Sequence, residues 1–393
     1  MIRIKETHMA LVKNDVKTRT TAKTVRMTLL VLVLALSTLL GILHQVSGVK
    51  PVGVDALCPF GGIESAWSLL STGTLLPRIA WSSFILLGAT LLAAILFRRT
   101  FCGNFCPLGT LQELFGGLGR KLFGKRLEVP AGLDRWARYL KYVVLAVFLG
   151  LTAALGILAI RPYDPWAAYH HLLDAELFAG FLGGLIILLA TLLGSLLYDR
   201  FFCKYLCPMG AVLAPFSKAG LFKIRRDAPT CISCGACDKA CPMNLPVSKL
   251  GTVKAAECID CDQCVNACPV KDALVIEGPR GRRVSPLVRT LGTVGIFVGV
   301  LGVATLTDAF RWTMPSLERR AEEAGGTFDP STIKGSDTWE NVIRLSGIPK
   351  EAFLERFKIT EADLSHPIKE KAHAPGSTYD TEAVRVWIKE RSH

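Results

Sequence analysis

Acidic residues are scarce in this chain: 33 Asp and Glu stand against 46 Lys and Arg across 393 residues, a net charge of +13. Charge of either sign makes up only 20% of the composition, 50% is hydrophobic, and the mean hydropathy is +0.37. Five runs carry no charged residue at all: 27–46, 79–97, 142–160, 177–198 and 290–306. Each is long enough, as a helix, to cross a hydrocarbon layer of roughly 30 Å. They disfavour a soluble helical core and point to an integral membrane protein. Other absences narrow the function. There is no C-x-x-C-H, so c-type haem is not supported. No A-x-A site follows the first run, and 26 polar-rich residues precede it, so it reads as a retained anchor and not a cleaved signal. No basic-aromatic surface stands apart from the membrane flanks, so the positive charge is not a nucleic-acid signal.

That charge instead sets orientation and attracts lipid headgroups. Arg3, Lys5, Lys13, Lys17, Arg19, Lys23 and Arg26 precede the first run, and Arg98, Arg99, Arg120, Lys121, Lys125, Arg126 and Arg135 follow the second. The segment after the fourth run is also basic. By contrast, 47–78 holds only Lys50 and Arg78, and 161–176 only Arg161. The positive-inside rule places the N-terminus and 199–287 in the cytoplasm of a bacterial inner membrane, and five spans leave the C-terminal tail outside.

Cysteine is the informative residue. "RTFCGNFCPLGTLQELF" from Arg99 and "RFFCKYLCPMGAVLAPF" from Arg200 share C-x3-C-P followed by an apolar run. They suggest an internal repeat of helix, helix and cysteine pair, which an axis along the membrane normal would bring together on one face. The expected fold is mainly α, a four-helix core of two duplicated units plus a fifth span. The domains are a basic N-terminal segment (1–26), two repeat units (27–126 and 127–223), a ferredoxin insert (224–284), the fifth span (285–307) and a small helical tail (308–393). "CPFGGIESAW" from Cys58 and "DPWAAYHHLL" from Asp164 match more weakly in the outer loops. Gly292, Gly295, Gly299 and Gly302 mark one flat face of the fifth run, for which close helix packing is the simpler reading and passage of a cofactor the rarer one. In the tail, "SDTWENVIRLSG", "PKEAFLERF" and "TEAVRVWIKE" read as short amphipathic helices with cap candidates.

Between the second pair and the fifth run, "CISCGACDKACP" and "CIDCDQCVNACP" each read C-x2-C-x2-C-x3-C-P, the spacing of two-cluster bacterial ferredoxins. Three close thiolates wrap one [4Fe–4S] cube and the fourth reaches the other. Cys231, Cys234, Cys237 and Cys268 therefore form one set, and Cys258, Cys261, Cys264 and Cys241 the other. Zinc sites rarely use the triple spacing, and a cytoplasmic location disfavours disulfides. For Cys102, Cys106, Cys203 and Cys207 three readings stand: a shared metal or cluster site, a redox dithiol, or structural thiols. A cysteine just before proline is placed to cap a helix and face its positive end, which favours thiolate.

Histidines are few, seven in all, and His44, His170 and His171 fall at the outer ends of runs, on the side of Glu64, Asp164 and Asp174. Quinol oxidation needs a proton acceptor there, so His170, His171 and Glu64 are candidates for a quinol site, with ordinary interfacial side chains and a bis-histidine haem as alternatives. Cys58, without a partner, reads as a half-buried thiol.

Cys102–Pro107, Cys203–Pro208, the tandem runs Cys231–Pro242 and Cys258–Pro269, and "CPFGG" at Cys58 together resemble a family of membrane-bound polyferredoxins. It includes the quinol dehydrogenase subunit of periplasmic nitrate reductase and the membrane flavoprotein accessory to nitrous oxide reductase. The resemblance spans about residues 27–278. It implies two cytoplasmic [4Fe–4S] clusters, exchange with the quinone pool, and redox partner subunits such as a cytochrome or another iron–sulfur protein. The stretch ahead of the first run is short, so a covalent flavin is not implied, and the fifth span and tail leave the partner open. Copper-handling oxidase-assembly ferredoxins combine similar motifs and would make this a maturation factor, but their tail is a β-sandwich and this one reads as helical. A redox-sensing regulator would need an output domain that is not recognisable here. The expected function is an integral membrane iron–sulfur electron carrier.

Overall fold

The computed structural model describes residues 2–46, 58–73, 81–124, 129–173, 176–310, 312, 316–323, 328–372, 379 and 381–391. The chain divides into two compact units, Met1–Trp312 and Thr313–His393.

In the first unit, the basic segment and the first apolar run form one helix, α1 (Ile2–Val46), with no proline to break it. α2 (Pro59–Thr72) opens on Cys58-Pro59 and stops at Gly73, whose φ of 73° only glycine adopts cheaply. Then come α3 (Trp81–Phe97), α4 (Thr100–Asn104), α5 (Pro107–Phe123), α6 (Ala131–Ala137) and α7 (Leu140–Leu155). α8 (Pro165–His170), α9 (Glu176–Gly180), α10 (Leu182–Leu197), α11 (Phe201–Tyr205) and α12 (Pro208–Ala219) complete the helical base. α2 packs on α3 with Gly62 against the Ser83 carbonyl, and α8 packs on α10 with Gly184 against Asp164 and Ala168. Among the described residues, three helical stretches are long and apolar enough to cross a membrane: Arg19–Leu43, Gly132–Leu155 and Pro286–Leu306. Trp81–Phe97 and Leu182–Leu197 are apolar but shorter.

The insert is a four-stranded antiparallel sheet, in order β2-β1-β3-β4, built from β1 (Lys223–Arg226), β2 (Thr252–Val253), β3 (Leu274–Glu277) and β4 (Arg283–Val284). Two short helices, α13 (Ala236–Ala240) and α14 (Gln263–Ala267), each carry the third cysteine of a triplet. Ile224 and Ile276, paired across β1 and β3, turn inward with Val253, Leu245 and Met243. α15 (Pro286–Leu306) then leaves the sheet through a Ser285 cap and Pro286 at its first position. Of the glycines on its face, Gly292 is approached by the Phe97 ring, whereas Gly295, Gly299 and Gly302 meet nothing within 4 Å. Close packing thus accounts for one of the four.

The regular elements of the second unit's described residues are mainly short helices: α16 (Leu317–Glu323), α17 (Trp339–Ser346), α18 (Lys350–Phe357), α19 (Ile368–Ala372) and α20 (Thr381–Lys389). Trp339, Phe353, Phe357, Ile368, Val384, Trp387 and Ile388 form its core. The Thr338–Pro367 bridge joins the starts of α17 and α19. Thr360 and Asp363 cap each other, and the Thr360 N–H and hydroxyl hold the Asp363 carboxyl down at about 2. Because the folded value lies below the ordinary one near 3.9, this carboxylate stabilises the tail above about pH 4, and the contribution fades as pH falls towards 2. In the full-length protein, pepsin should therefore cut the tail faster at pH 2 than at pH 4, and Asp363→Asn should already be cut fast at pH 4.

Candidate cluster-binding site

The two triplets fold alike because the same positions turn left-handed. Ser233 and Gly235 flank Cys234, and Asp260 and Asp262 flank Cys261, all with φ between 51° and 69°. Alternating backbone of this kind curls the chain around a centre and aims N–H groups inward. Two hollows result. One is walled by Cys231, Cys234, Cys237 and Cys268. The other is walled by Cys241, Cys258, Cys261 and Cys264. Each wall carries three thiols of one run and the last thiol of the other.

The hollows differ in exposure. In the second, every cysteine is 7–8% exposed. Burial, then Asp260, pushes up the Cys258 thiol; burial and the neighbouring thiols push up Cys264; Cys261 rises to about 11. In the first, Cys234 and Ile232 are exposed, and the Ser233 N–H and Arg226 draw Cys231 below its usual range. Four thiolates around one hollow repel, and a cationic core relieves that repulsion. The donor sets therefore fit all-thiolate [4Fe–4S] clusters. Among the described residues no three His, Cys, Asp or Glu side chains close on a single point as ligands of one ion. Spaced thiols suit a cube, in which each takes a different iron.

The second hollow is clamped to the helical base by buried charge. Asp260, fully buried, meets Arg98 and Arg289 at 3.1 Å each. Arg289 also pairs with Asp262 and donates to the Asp260 carbonyl. Arg98 reaches the Ser217 carbonyl, and the Ser217 hydroxyl donates to the Cys258 carbonyl at 3.0 Å. Glu113 accepts from Arg26, Arg200 and Gln263. Burial alone would raise Glu113, but the two arginines hold it at about 2. Lys141 pairs with Glu257 at 2.5 Å. Gly103 lies so close to the cysteine loop that a Cβ there would strike the Ile259 carbonyl and come 3.0 Å from the Cys261 Cα.

The two C-x3-C-P stretches adopt one geometry. Cys106 caps α5 and Cys207 caps α12, each Sγ accepting from the N–H three residues on at 3.4 Å. Cys106 and Cys207 pack against one apolar cluster of Leu108, Leu188 and Phe202. Burial pushes the Cys102 thiol up, with Arg99 opposing and Cys203 adding to the rise, and Cys106 is pushed up to about 12 by burial and then by Cys203 and Cys102. Gln112 donates to Cys203 Sγ at 3.2 Å.

Comparison with known proteins agrees. Residues 79–126 and 181–227 match the 4Fe-4S binding domain family, and 223–270 match the 4Fe-4S dicluster domain family. The putative electron transport protein YccM of Escherichia coli is 34% identical over 276 residues, 68% of this chain and 77% of that one. This chain belongs to the membrane polyferredoxins of the NapH and NosR type. The ferredoxin-type protein NapH of Escherichia coli is 29% identical over 175 residues, covering 44% of this chain and 57% of NapH. The regulatory protein NosR of Pseudomonas aeruginosa is 34% identical over 163 residues, 40% of this chain and 22% of NosR. No solved structure matches.

The outer-loop candidates of this polyferredoxin lie on different walls. Glu64 is fully buried and accepts from the Thr152 hydroxyl at 2.9 Å and the Ile160 N–H at 3.2 Å. His170 is buried edge-on to Trp166 and Tyr169 and against Gly41 of α1, while His171 stacks on Phe181 at 4.2 Å. Cys58 caps α2 half-buried. Asp174 and the His44 side chain lie outside the described residues.

Sequence reasoning missed the clamp. Arg98, Arg99 and Arg26 were legible as orientation charges, yet their side chains are buried against the insert. The usable signal was Arg289, a cation just inside an apolar run. Asp260→Asn leaves Arg98 and Arg289 buried with less counter-charge, which costs on the order of 3–5 kcal/mol when a buried pair is broken. Full-length Asp260→Asn should release the insert to limited trypsin digestion at lower temperature than the parent protein, with the helical base intact.

Proposed function

We propose that this protein is an integral membrane electron carrier that passes single electrons between the quinone pool and a redox partner subunit. The observation that carries this reading is the pair of hollows, each walled by four cysteines drawn from both runs. Cys231, Cys234, Cys237 and Cys268 hold one [4Fe–4S] cluster, and Cys258, Cys261, Cys264 and Cys241 the other. When bound, such clusters gain or lose one electron at a time at potentials tuned by charge, hydrogen bonds and exposure. Cys102, Cys106, Cys203 and Cys207 belong to the same reading as a further site.

The chain's own residues divide the work. The inner hollow is kept dry and fixed by Asp260, Arg98 and Arg289. The outer hollow opens to solvent beside Ile232 and Cys234, where a partner can approach. At the far end of the base, a ring nitrogen of His170 takes a proton from a quinol hydroxyl; Glu64, fully buried against α7, is a second candidate acceptor on its own wall. Five spans follow if α3 and α10 cross with α1, α6–α7 and α15, the two helix-pair units forming a duplicated four-helix core. The charge distribution then puts the N-terminus and insert in the cytoplasm of the inner membrane and the tail outside. A copper-maturation role has less support: the tail is helical in its described residues and offers no sandwich.

Anaerobically purified protein should contain about eight irons in the ferredoxin insert, and Cys234→Ser and Cys261→Ser should each lower that by about four. The His170→Ala/His171→Ala double variant should keep its iron and lose quinol-dependent, but not dithionite-dependent, reduction. An undiminished quinol rate would remove the histidines from the proposal.

A further inference from the structure

Arg99 and Arg200 occupy matching places in the two C-x3-C-P stretches, and each crosses to the other stretch. The Arg200 guanidinium donates to the Cys102 carbonyl at 2.9 Å and lies where a Cβ on Gly109 would stand. The Arg99 guanidinium lies 2.9 Å from the corresponding point on Gly210. Within each stretch the geometry also matches. A Cβ on Gly109 would sit 3.4 Å from the Cys102 carbonyl, and one on Gly210 would sit 3.5 Å from the Cys203 carbonyl. Gln112, from the first stretch, binds the second, accepting from the Phe202 N–H and donating to Cys203 Sγ.

We propose that the two stretches build one shared iron–sulfur centre, ligated by Cys102 and Cys106 on one side and Cys203 and Cys207 on the other, with Arg99 and Arg200 as its cationic walls. This rests on the electron-carrier reading and deepens it. Four thiolates in a buried place carry four negative charges. A dipositive core leaves two, and the two guanidiniums balance them. All-sulfur donors suit iron–sulfur clusters or zinc. The placement favours the redox-active choice. α4, which carries Cys102, touches the Cys261 loop at Gly103 backbone to backbone, a closeness that electron exchange with the inner hollow uses and a structural zinc does not. Gln112 is a positioning residue here, and its N–H to Cys203 Sγ favours the reduced, more negative state.

The test uses full-length protein purified anaerobically, with iron and zinc counted per chain and reduced samples read by EPR and Mössbauer spectroscopy. The parent should hold about two to four irons beyond the eight of the insert. Cys106→Ser and Cys207→Ser should each remove the whole of that extra signal, and the double variant should remove no more than either alone. Gln112→Leu should keep the extra iron and lower the midpoint of its signal, which decides the matter if the serine variants do not accumulate. Retention of half the extra signal in one serine variant would mean a separate centre in each stretch and overturn the proposal. So would stoichiometric zinc, a count of about eight irons, or an unmoved midpoint in Gln112→Leu. Loss of iron in none of these variants, nor in Cys234→Ser, would instead sink the electron-carrier reading itself.

Discussion

The Asp260 carboxylate, wedged between Arg98 and Arg289, is the contact on which the architecture turns. Arg98 directly follows α3, Arg289 lies in the first turn of α15, and Asp260 sits between two cysteines of the inner hollow. Three separated segments are thereby fixed to one point. A charged group buried this deeply is tolerated only when paired and hydrogen-bonded, so the clamp forms with its partners in place or not at all. The left-handed backbone at Asp260 and Asp262 serves both ends of this arrangement. It curls the thiols around the hollow and turns the two carboxylates outward to the arginines.

The clamp also explains why the two hollows are unlike. The inner set is pressed against α4 and α12 through Gly103 and Ser217, which excludes water. The outer set is walled by its own loops and Arg226, and the base reaches it through Arg19 of α1, which donates to the Cys268 carbonyl. Solvent exposure and nearby charge are the levers that set iron–sulfur potentials, so one ligand pattern, used twice, yields two different electrostatic settings. Packing against the base makes the difference, because the ligand spacing is the same.

How much of this was legible in the sequence follows from range. Cysteine spacing is local: a cube demands thiols at short, fixed intervals, and C-x2-C-x2-C-x3-C-P records that demand directly. The swap of Cys241 and Cys268 between hollows was legible for the same reason. The short amphipathic tail helices were local too. The pairing of Arg98 with Asp260, 162 positions away, left no local trace. Arg98 and Arg99 look like topology signals because a cation at the end of an apolar run has that meaning by default. Here the same side chains also hold the insert, and burial, which sequence does not display, separates the two roles. Glu64 and His170 looked like one cluster in the sequence because both fall in outer loops; the fold sends them to α7 and α1.

Among the aligned positions at which the two C-x3-C-P stretches differ, one bears directly on how the insert seats. Where the first has Gly103, the second has Lys204. Glycine leaves room for the Ile259 carbonyl and the Cys261 backbone; Lys204 fills the space and reaches out to Asn244 at 2.7 Å. One ferredoxin insert cannot seat identically on two equivalent surfaces. The glycine selects which stretch meets the inner cysteine loop, and the lysine fixes the other side of the insert at a distance. Two motifs of one spacing thus become a contact and a brace, and the missing Cβ at Gly103 is one reason that the first stretch is the contact.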